Sequence, residues 1–322
     1  MSRFHEIVEG SVSVESDRPA ARWLPYRGLS PALSGVFPLL LAVGNDELAE
    51  AAIRVTSALA RSKGAIPTVI QALGVDRGSE VAIAPFAGTI MEAALSPEFR
   101  NECRNALQNL TQSIAGNVQW RFEIDDLSAA DAVMELARQV RPELIVMGLR
   151  QHGMVHRAVS GDLLRSIVRA TRLPVLAVRP GLWGLPRRIV VAIDFGEASI
   201  HAARMARQLL GEGGEMHLMH VATDHEDRMA APLIRFSDAT GLGGRLERLA
   251  EDLSPAPGMT ITTELAQGDP VLSIKGCAER LRADLIAVGS DHHSPLERLL
   301  SGSVSMALAH AARWAMLIVP GR

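Results

Sequence analysis

The sequence predicts an α/β protein made of two tandem, doubly wound, five-stranded parallel sheets. Three observations carry that expectation. The chain has 322 residues, about twice the usual domain size. It repeats itself at a fixed spacing. Each half alternates short β-rich apolar runs with amphipathic stretches, the pattern of βαβ units.

The repeat is plain in Glu143-Leu144-Ile145-Val146-Met147-Gly148, which reads like Asp284-Leu285-Ile286-Ala287-Val288-Gly289, 141 residues further on. The same spacing relates Gly161 to Gly302, Arg172 to Arg313 and Leu176 to Leu317. Leu40–Val43 corresponds to Val190–Ile193 at a somewhat larger spacing, so insertions separate the early elements. A tandem duplication follows, with halves at residues 36–180 and 186–322. Arg179-Pro180-Gly181-Leu182-Trp183-Gly184-Leu185-Pro186 has the Pro/Gly content of a short linker. Residues 1–35 have no counterpart and form an N-terminal extension that either packs through Trp23 and Tyr26 or stays unstructured.

In the first half the expected strands are Leu39–Val43, Thr68–Leu73, Val118–Ile124, Leu144–Met147 and Val175–Val178. The second half opens with Arg188–Ile193, a continuous apolar run suited to a strand covered on both faces. From Ser199, the residues Ile200, Ala203, Ala206 and Leu210 recur at helical spacing, ending at Gly211. Met216–Val221 and Met259–Glu264 are the next strands. Gly268-Asp269-Pro270 opens a helix carrying Val271, Ile274 and Leu281, with proline in the first turn where its missing N–H is not needed. Leu285–Val288, a helix from Ser303 and a strand at Met316–Val319 complete the half. Ligands in such sheets sit beyond the carboxyl ends of the strands, where strand order reverses.

Composition narrows the chemistry. At 48% hydrophobic and 21% charged, the chain can bury full cores. A formal charge of −3 supplies no basic field, and aromatics at 4% supply no stacking platforms, so no nucleic-acid partner is expected. No apolar run approaches the ~18 residues of a membrane span, and Met1–Ser30 lacks the apolar centre of a secretory signal. A cytoplasmic location follows as the expectation. Cys103 and Cys277 are isolated, which suggests neither a disulfide framework nor a cysteine metal site. Lys63 and Lys275 are the only lysines and neither follows glycine, so the phosphate loop G-x-x-x-x-G-K-[ST] is absent. HExxH and G-x-S-x-G are absent too. No catalytic residue and no metal centre are expected.

The informative residues follow the fourth strand of the second half: Gly289-Ser290-Asp291-His292-His293-Ser294, then Ser301-Gly302-Ser303-Val304-Ser305. By residue chemistry alone, Ser303 is as readily a helix N-cap as a phosphate ligand, and Asp194 as readily caps the helix that follows it. In combination, this region resembles the universal stress protein family, whose ATP-binding members carry G-x-x-G-x(9)-G-[S/T]. Gly289 and Gly302-Ser303 keep that spacing, and His292 stands where the middle glycine would be. Val191-Ala192-Ile193-Asp194, His220-Val221 and Gly268-Asp269-Pro270 are similar to further hallmarks, and the resemblance covers nearly everything after residue 36.

The resemblance implies a Rossmann-like fold of the adenine-nucleotide α-hydrolase type and ATP, with Mg2+ as accompanying ion, as the cofactor. Asp194 would hydrogen-bond the ribose or base, with Ala192, Ile193, Val221 and Val288 beside the base. Gly289 would let the backbone pass close to the phosphates. Gly302, Ser303, Val304 and Ser305 would begin a helix whose unpaired N–H groups and dipole favour an anion. His292 would either narrow the phosphate channel or donate to a phosphate from its ring. A zinc role for His292 and His293 lacks any further ligand at useful spacing, and His217 and His220, an odd number apart in one strand, face opposite sides.

The first half has lost these parts. Gly44 stands in place of Asp194, with Asn45 and Asp46 displaced; Gln151 replaces the middle glycine and Asp162 replaces Ser303. Asp162 supplies its own negative charge to the helix start and would repel a phosphate. The expectation is a first half without ATP, serving structure or partner contact. Gly148, Gly153 and Gly161 remain as sources of loop freedom.

Leu173–Val178 and Trp314–Val319 are apolar, β-branched last strands at the sheet edges, which invite pairing. Family members commonly dimerise through this strand, so the resemblance implies intramolecular pairing of the halves as a pseudo-twofold unit and leaves a homodimer of whole chains open. The functional expectation is a stress-response protein binding an adenine nucleotide in its second half as a sensor, with at most slow ATP hydrolysis. The alternative is an adaptor that acts through protein contacts without nucleotide.

Overall fold

A computed structural model of the protein describes residues 37–43, 48–73, 96–148, 159–222, 241–253, 258–290 and 313–321. The N-terminal extension and the segments carrying Gly44–Asp46, Gln151, Gly153, His292, His293 and Gly302–Ser305 lie outside them.

The first half runs β1 (Leu39–Val43), α1 (Leu48–Lys63), β2 (Thr68–Ala72), α2 (Pro97–Ala115), β3 (Arg121–Asp125), α3 (Ala129–Val140), β4 (Leu144–Gly148), α4 (Val159–Thr171) and β5 (Val175–Val178). The second runs β6 (Arg188–Ala192), α5 (Glu197–Leu209), β7 (Glu215–Ala222), α6 (Leu242–Asp252), β8 (Thr260–Gln267), α7 (Pro270–Arg280), β9 (Leu285–Ser290) and β10 (Ala315–Pro320). Among the described residues, ten strands form one sheet in the order β3-β2-β1-β4-β5-β10-β9-β6-β7-β8. Within each half every pairing is parallel, and strand order reverses between β1 and β4 and between β6 and β9. Each half is therefore the expected doubly wound sheet.

The halves join where β5 and β10 pair antiparallel, with Met316 opposite Ala177, Leu317 opposite Leu176 and Ile318 opposite Val175. All four β5 residues and all six of β10 are buried. Both edges thus lose their unpaired N–H and C=O groups, which would otherwise template association.

Side-chain alternation splits the core between the two sheet faces. On the first face Leu41, Leu176, Val191 and Leu317 pack with α1, α2, α5 and α6. On the second, Leu40, Ala177, Val190 and Met316 pack with α3, α4 and α7. The repeat extends to caps and backbone. Ser128 and Asp269, 141 residues apart, cap α3 and α7 by accepting from Asp131 N and Leu272 N. Arg141 and Arg282, at the same spacing, both turn left-handed at φ 49°. In the linker, Leu182 is buried on the first face, while the exposed ring of Trp183 lies 4.9 Å from the Arg54 guanidinium.

Some strand limits differ from the sequence expectation. β3 starts at Arg121 rather than Val118, because Thr68 is its first partner and Pro67 before it has no N–H to extend the ladder. β8 continues to Gln267 rather than stopping at Glu264, since β7 offers an eight-rung ladder as far as Ala222 opposite Gln267. Pairing overrides the weak strand propensity of Ala266 and Gln267.

Candidate functional site

The crevice of the second half opens at the carboxyl ends of β6, β7 and β9, beside the reversal of strand order. Ala192 ends β6, Val221 is the penultimate residue of β7, and Val288 and Gly289 stand near the end of β9. Ala192 and Val288 are buried on the second face, and Val221 packs against the same cluster. Ile193 departs from the sequence expectation. Its side chain belongs to the first-face core, so it points away from Ala192, Val221 and Val288, and only its backbone belongs to this strand end.

That backbone is tightly held. Ile193 N donates to Met219 O at 2.8 Å, and His220 Nδ1 lies 2.7 Å from Ile193 O. A carbonyl oxygen only accepts, so Nδ1 carries the proton. His220 is buried, 3% exposed, and its Nε2 has no hydrogen-bond partner among the described residues. The Phe195 ring lies 4.9 Å from the imidazole, and the Arg245 guanidinium 4.2 Å from the Phe195 centroid. Phe195 is left-handed at φ 62°, which turns the chain sharply from β6 into α5.

Asp194 stands on this turn. Its Oδ1 accepts from Gly196 N at 2.9 Å, and its own N–H donates to Ser199 Oγ at 3.3 Å. Ser199 Oγ in turn donates to Gly196 O at 3.0 Å. One carboxylate oxygen thus folds the turn ahead of α5, whose N-cap position is Gly196 with no side-chain cap. Asp194 is half-buried, and Oδ2 has no partner among the described residues. The sequence marks Ser199 only as the start of a helix that in fact begins at Glu197, and it does not mark Gly196; a serine two positions after the first residue of α5 signals a polar turn only once the helix start is known.

Gly289 has a packing reason, different from the phosphate approach expected from the sequence. A Cβ at this position would meet Ser199 N at 2.3 Å, Ala198 C at 2.5 Å and Ser199 Cα at 2.7 Å. The first turn of α5 lies against β9 here, so the glycine permits helix–strand contact, and its missing side chain faces backbone. In the first half, Ser160, Gly161 and Asp162 fall in the first turn of α4.

His217 and His220 face opposite sides as the strand period requires. His217 turns to the second face, toward Thr262 and Glu264 of β8.

Comparison with known proteins places these features in context. Residues 37–179 and 186–320 each match the model of the universal stress protein family. A universal stress protein of Methanocaldococcus jannaschii is 27% identical over 145 residues, 42% of this chain and 82% of that protein. The universal stress protein E homolog of Haemophilus influenzae is 23% identical over 243 residues, 67% of this chain and 77% of that one. Among solved structures, a universal stress protein from Archaeoglobus fulgidus has the same fold, with a TM-score of 0.64 at 16% identity over 88% of this chain and 98% of that one.

Proposed function

Because the chain belongs to the universal stress protein family in both halves, we propose that it is a stress-response protein whose second half binds ATP or a related adenine nucleotide. One observation carries this reading: at the carboxyl end of β6 the half-buried Asp194 keeps Oδ2 without a described partner, beside the apolar second-face residues Ala192, Val221 and Val288. An acceptor next to an apolar wall suits a purine nucleoside, which offers ribose hydroxyls and a flat base. Gly302, Ser303, Val304 and Ser305 are assigned to the phosphates by their sequence motif alone. His292 stands in that motif in place of its middle glycine. Mg2+ would accompany the phosphates as a counterion.

The first half is proposed to be without nucleotide. Asp162 in the first turn of α4 brings a negative charge to the position of Ser303. At ~4 Å and an effective dielectric near 20, like charges repel by about 4 kcal/mol, roughly a thousandfold in affinity. The nucleotide state then acts as a signal rather than fuel, and hydrolysis is at most slow. Localisation in the cytoplasm belongs to the same proposal; among the described residues no helix is long and apolar enough to cross a membrane.

The test is to denature purified protein and identify released nucleotide by mass spectrometry, beside a Gly302→Val variant. Adenine nucleotide in the wild type and none in the variant supports the proposal. Nucleotide retained by the variant moves the site elsewhere. None in either, with none bound on addition of ATP, favours an adaptor working through protein contacts.

A further inference from the structure

We propose that His217, Glu264 and Cys277 form a binding site for a zinc-class divalent cation on the second half, separate from the nucleotide crevice. The three side chains come from β7, β8 and α7 and converge on the second face. His217 Nε2 lies 2.9 Å from Glu264 Oε2, and Cys277 Sγ lies 3.9 Å from the same oxygen. All three ligand atoms are within 4.8 Å of one another. A tetrahedral zinc ion with bonds of about 2.0–2.3 Å to nitrogen, oxygen and sulfur needs donors at similar mutual separations. Imidazole, thiolate and carboxylate together select zinc, or cobalt as its surrogate, over magnesium and calcium, which take oxygen ligands. Solvent supplies the fourth position.

His217 is held for ligation by its other nitrogen. Glu264 Oε2 only accepts, so Nε2–H faces it in the metal-free protein. On metal entry the imidazole proton moves to Nδ1, 2.7 Å from Thr262 Oγ1, where the hydroxyl accepts it and frees the Nε2 lone pair for the metal. Cys277 is buried, and burial first, then the Glu264 charge, pushes its thiol up to about 11. The metal-free sulfur therefore keeps its proton. On ligation the S–H bond gives way to a sulfur–metal bond and the proton leaves to solvent.

In the metal-free protein Arg280 holds the place of the cation. Its guanidinium contacts Glu264 Oε2 and lies 3.6 Å from Cys277 Sγ. The Arg280 side chain is 56% exposed, so it can swing into water when a metal enters.

Two comparisons separate this cluster from the fold and from the crevice. His217 pairs with Thr262 as Thr68 pairs with Arg121, so Thr68 is the first-half equivalent of His217. Glu123 and Leu136 stand 141 residues before Glu264 and Cys277. The first half builds the same sheet with threonine and leucine at two of the three positions, so the architecture does not require His217 or Cys277. His217 also precedes Val221 by four residues, about 13 Å along the strand.

The test is titration of reduced, chelator-treated full-length protein with Co2+, read by the thiolate-to-cobalt charge-transfer absorption and then by its displacement with Zn2+. One equivalent per chain is expected. The band should vanish in Cys277→Ser and persist in Cys103→Ser, and Thr262→Val should weaken binding about 10–100-fold. Arg280→Ala, an exposed change that spares the core, should bind Co2+ several-fold more tightly because its competitor is gone. No thiolate band at stoichiometric Co2+, a band that survives Cys277→Ser, or weaker binding by Arg280→Ala would overturn the proposal.

Discussion

Leu176 and Leu317 are equivalent residues of the two repeats and also face each other across the β5–β10 ladder. Ala177 meets Met316, and Val175 meets Ile318, so positions on either side exchange in turn. An antiparallel ladder centred on one self-equivalent pair has a local twofold axis normal to the sheet at that pair. Duplication thus turned a self-complementary edge strand into an internal joint.

That joint should be an energetic centre. Both leucines are fully buried, so Leu176→Ala and Leu317→Ala should each cost about 2–5 kcal/mol. The double variant should depart from additivity by about 0.5–3 kcal/mol, since the two side chains are neighbours. Urea denaturation of the four proteins measures both quantities, and additive losses would deny the contact.

Gly289 and Gly276 should answer oppositely to alanine. At Gly289 the new Cβ would overlap the backbone of Ala198 and Ser199, which cannot give way as a flexible side chain could, so the variant should be strongly destabilised or fail to fold. Gly276 lies inside α7 with open space at its Cβ position. There alanine should raise stability by about 0.4–1 kcal/mol by restricting the unfolded chain. Paired thermal melts distinguish the two.

His220 should prove structural. Replacing it with leucine leaves the Ile193 carbonyl without its 2.7 Å donor, at a cost of about 1–3 kcal/mol. Asp194→Ala loses the bond from Gly196 N, comparable to a missing helix cap at about 0.5–2 kcal/mol, and should also weaken nucleotide. Denaturation midpoints set beside ATP affinity separate the roles: His220→Leu should act mainly on stability, Asp194→Ala on both.

Much of the architecture could be read from residue order because buried parallel strands announce themselves. Leu39–Val43 and Val175–Val178 are continuous apolar runs, and both have the limits expected of them. Where limits shifted, at Arg121 and Gln267, the partner strand decided, and a partner strand is invisible to local pattern. Asp194, Ala192, Val221 and Val288 were legible as strand-end residues, but the face taken by Ile193 was not, because it depends on where the strand stops. Gly289 was legible as a glycine that matters, yet its contact with Ser199 exists only once α5 folds back over β9. The His217, Glu264 and Cys277 cluster was hidden for the same reason. Its members are 47 and 13 residues apart, and only the β7–β8 register and the seat of α7 bring them together.

The difference between the halves is tested most directly by calorimetric titration of ATP into nucleotide-stripped protein. One equivalent per chain is expected, lost in Gly302→Val and unaffected by Gly161→Val. Two equivalent sites, none at all, or binding that survives Gly302→Val would contradict it.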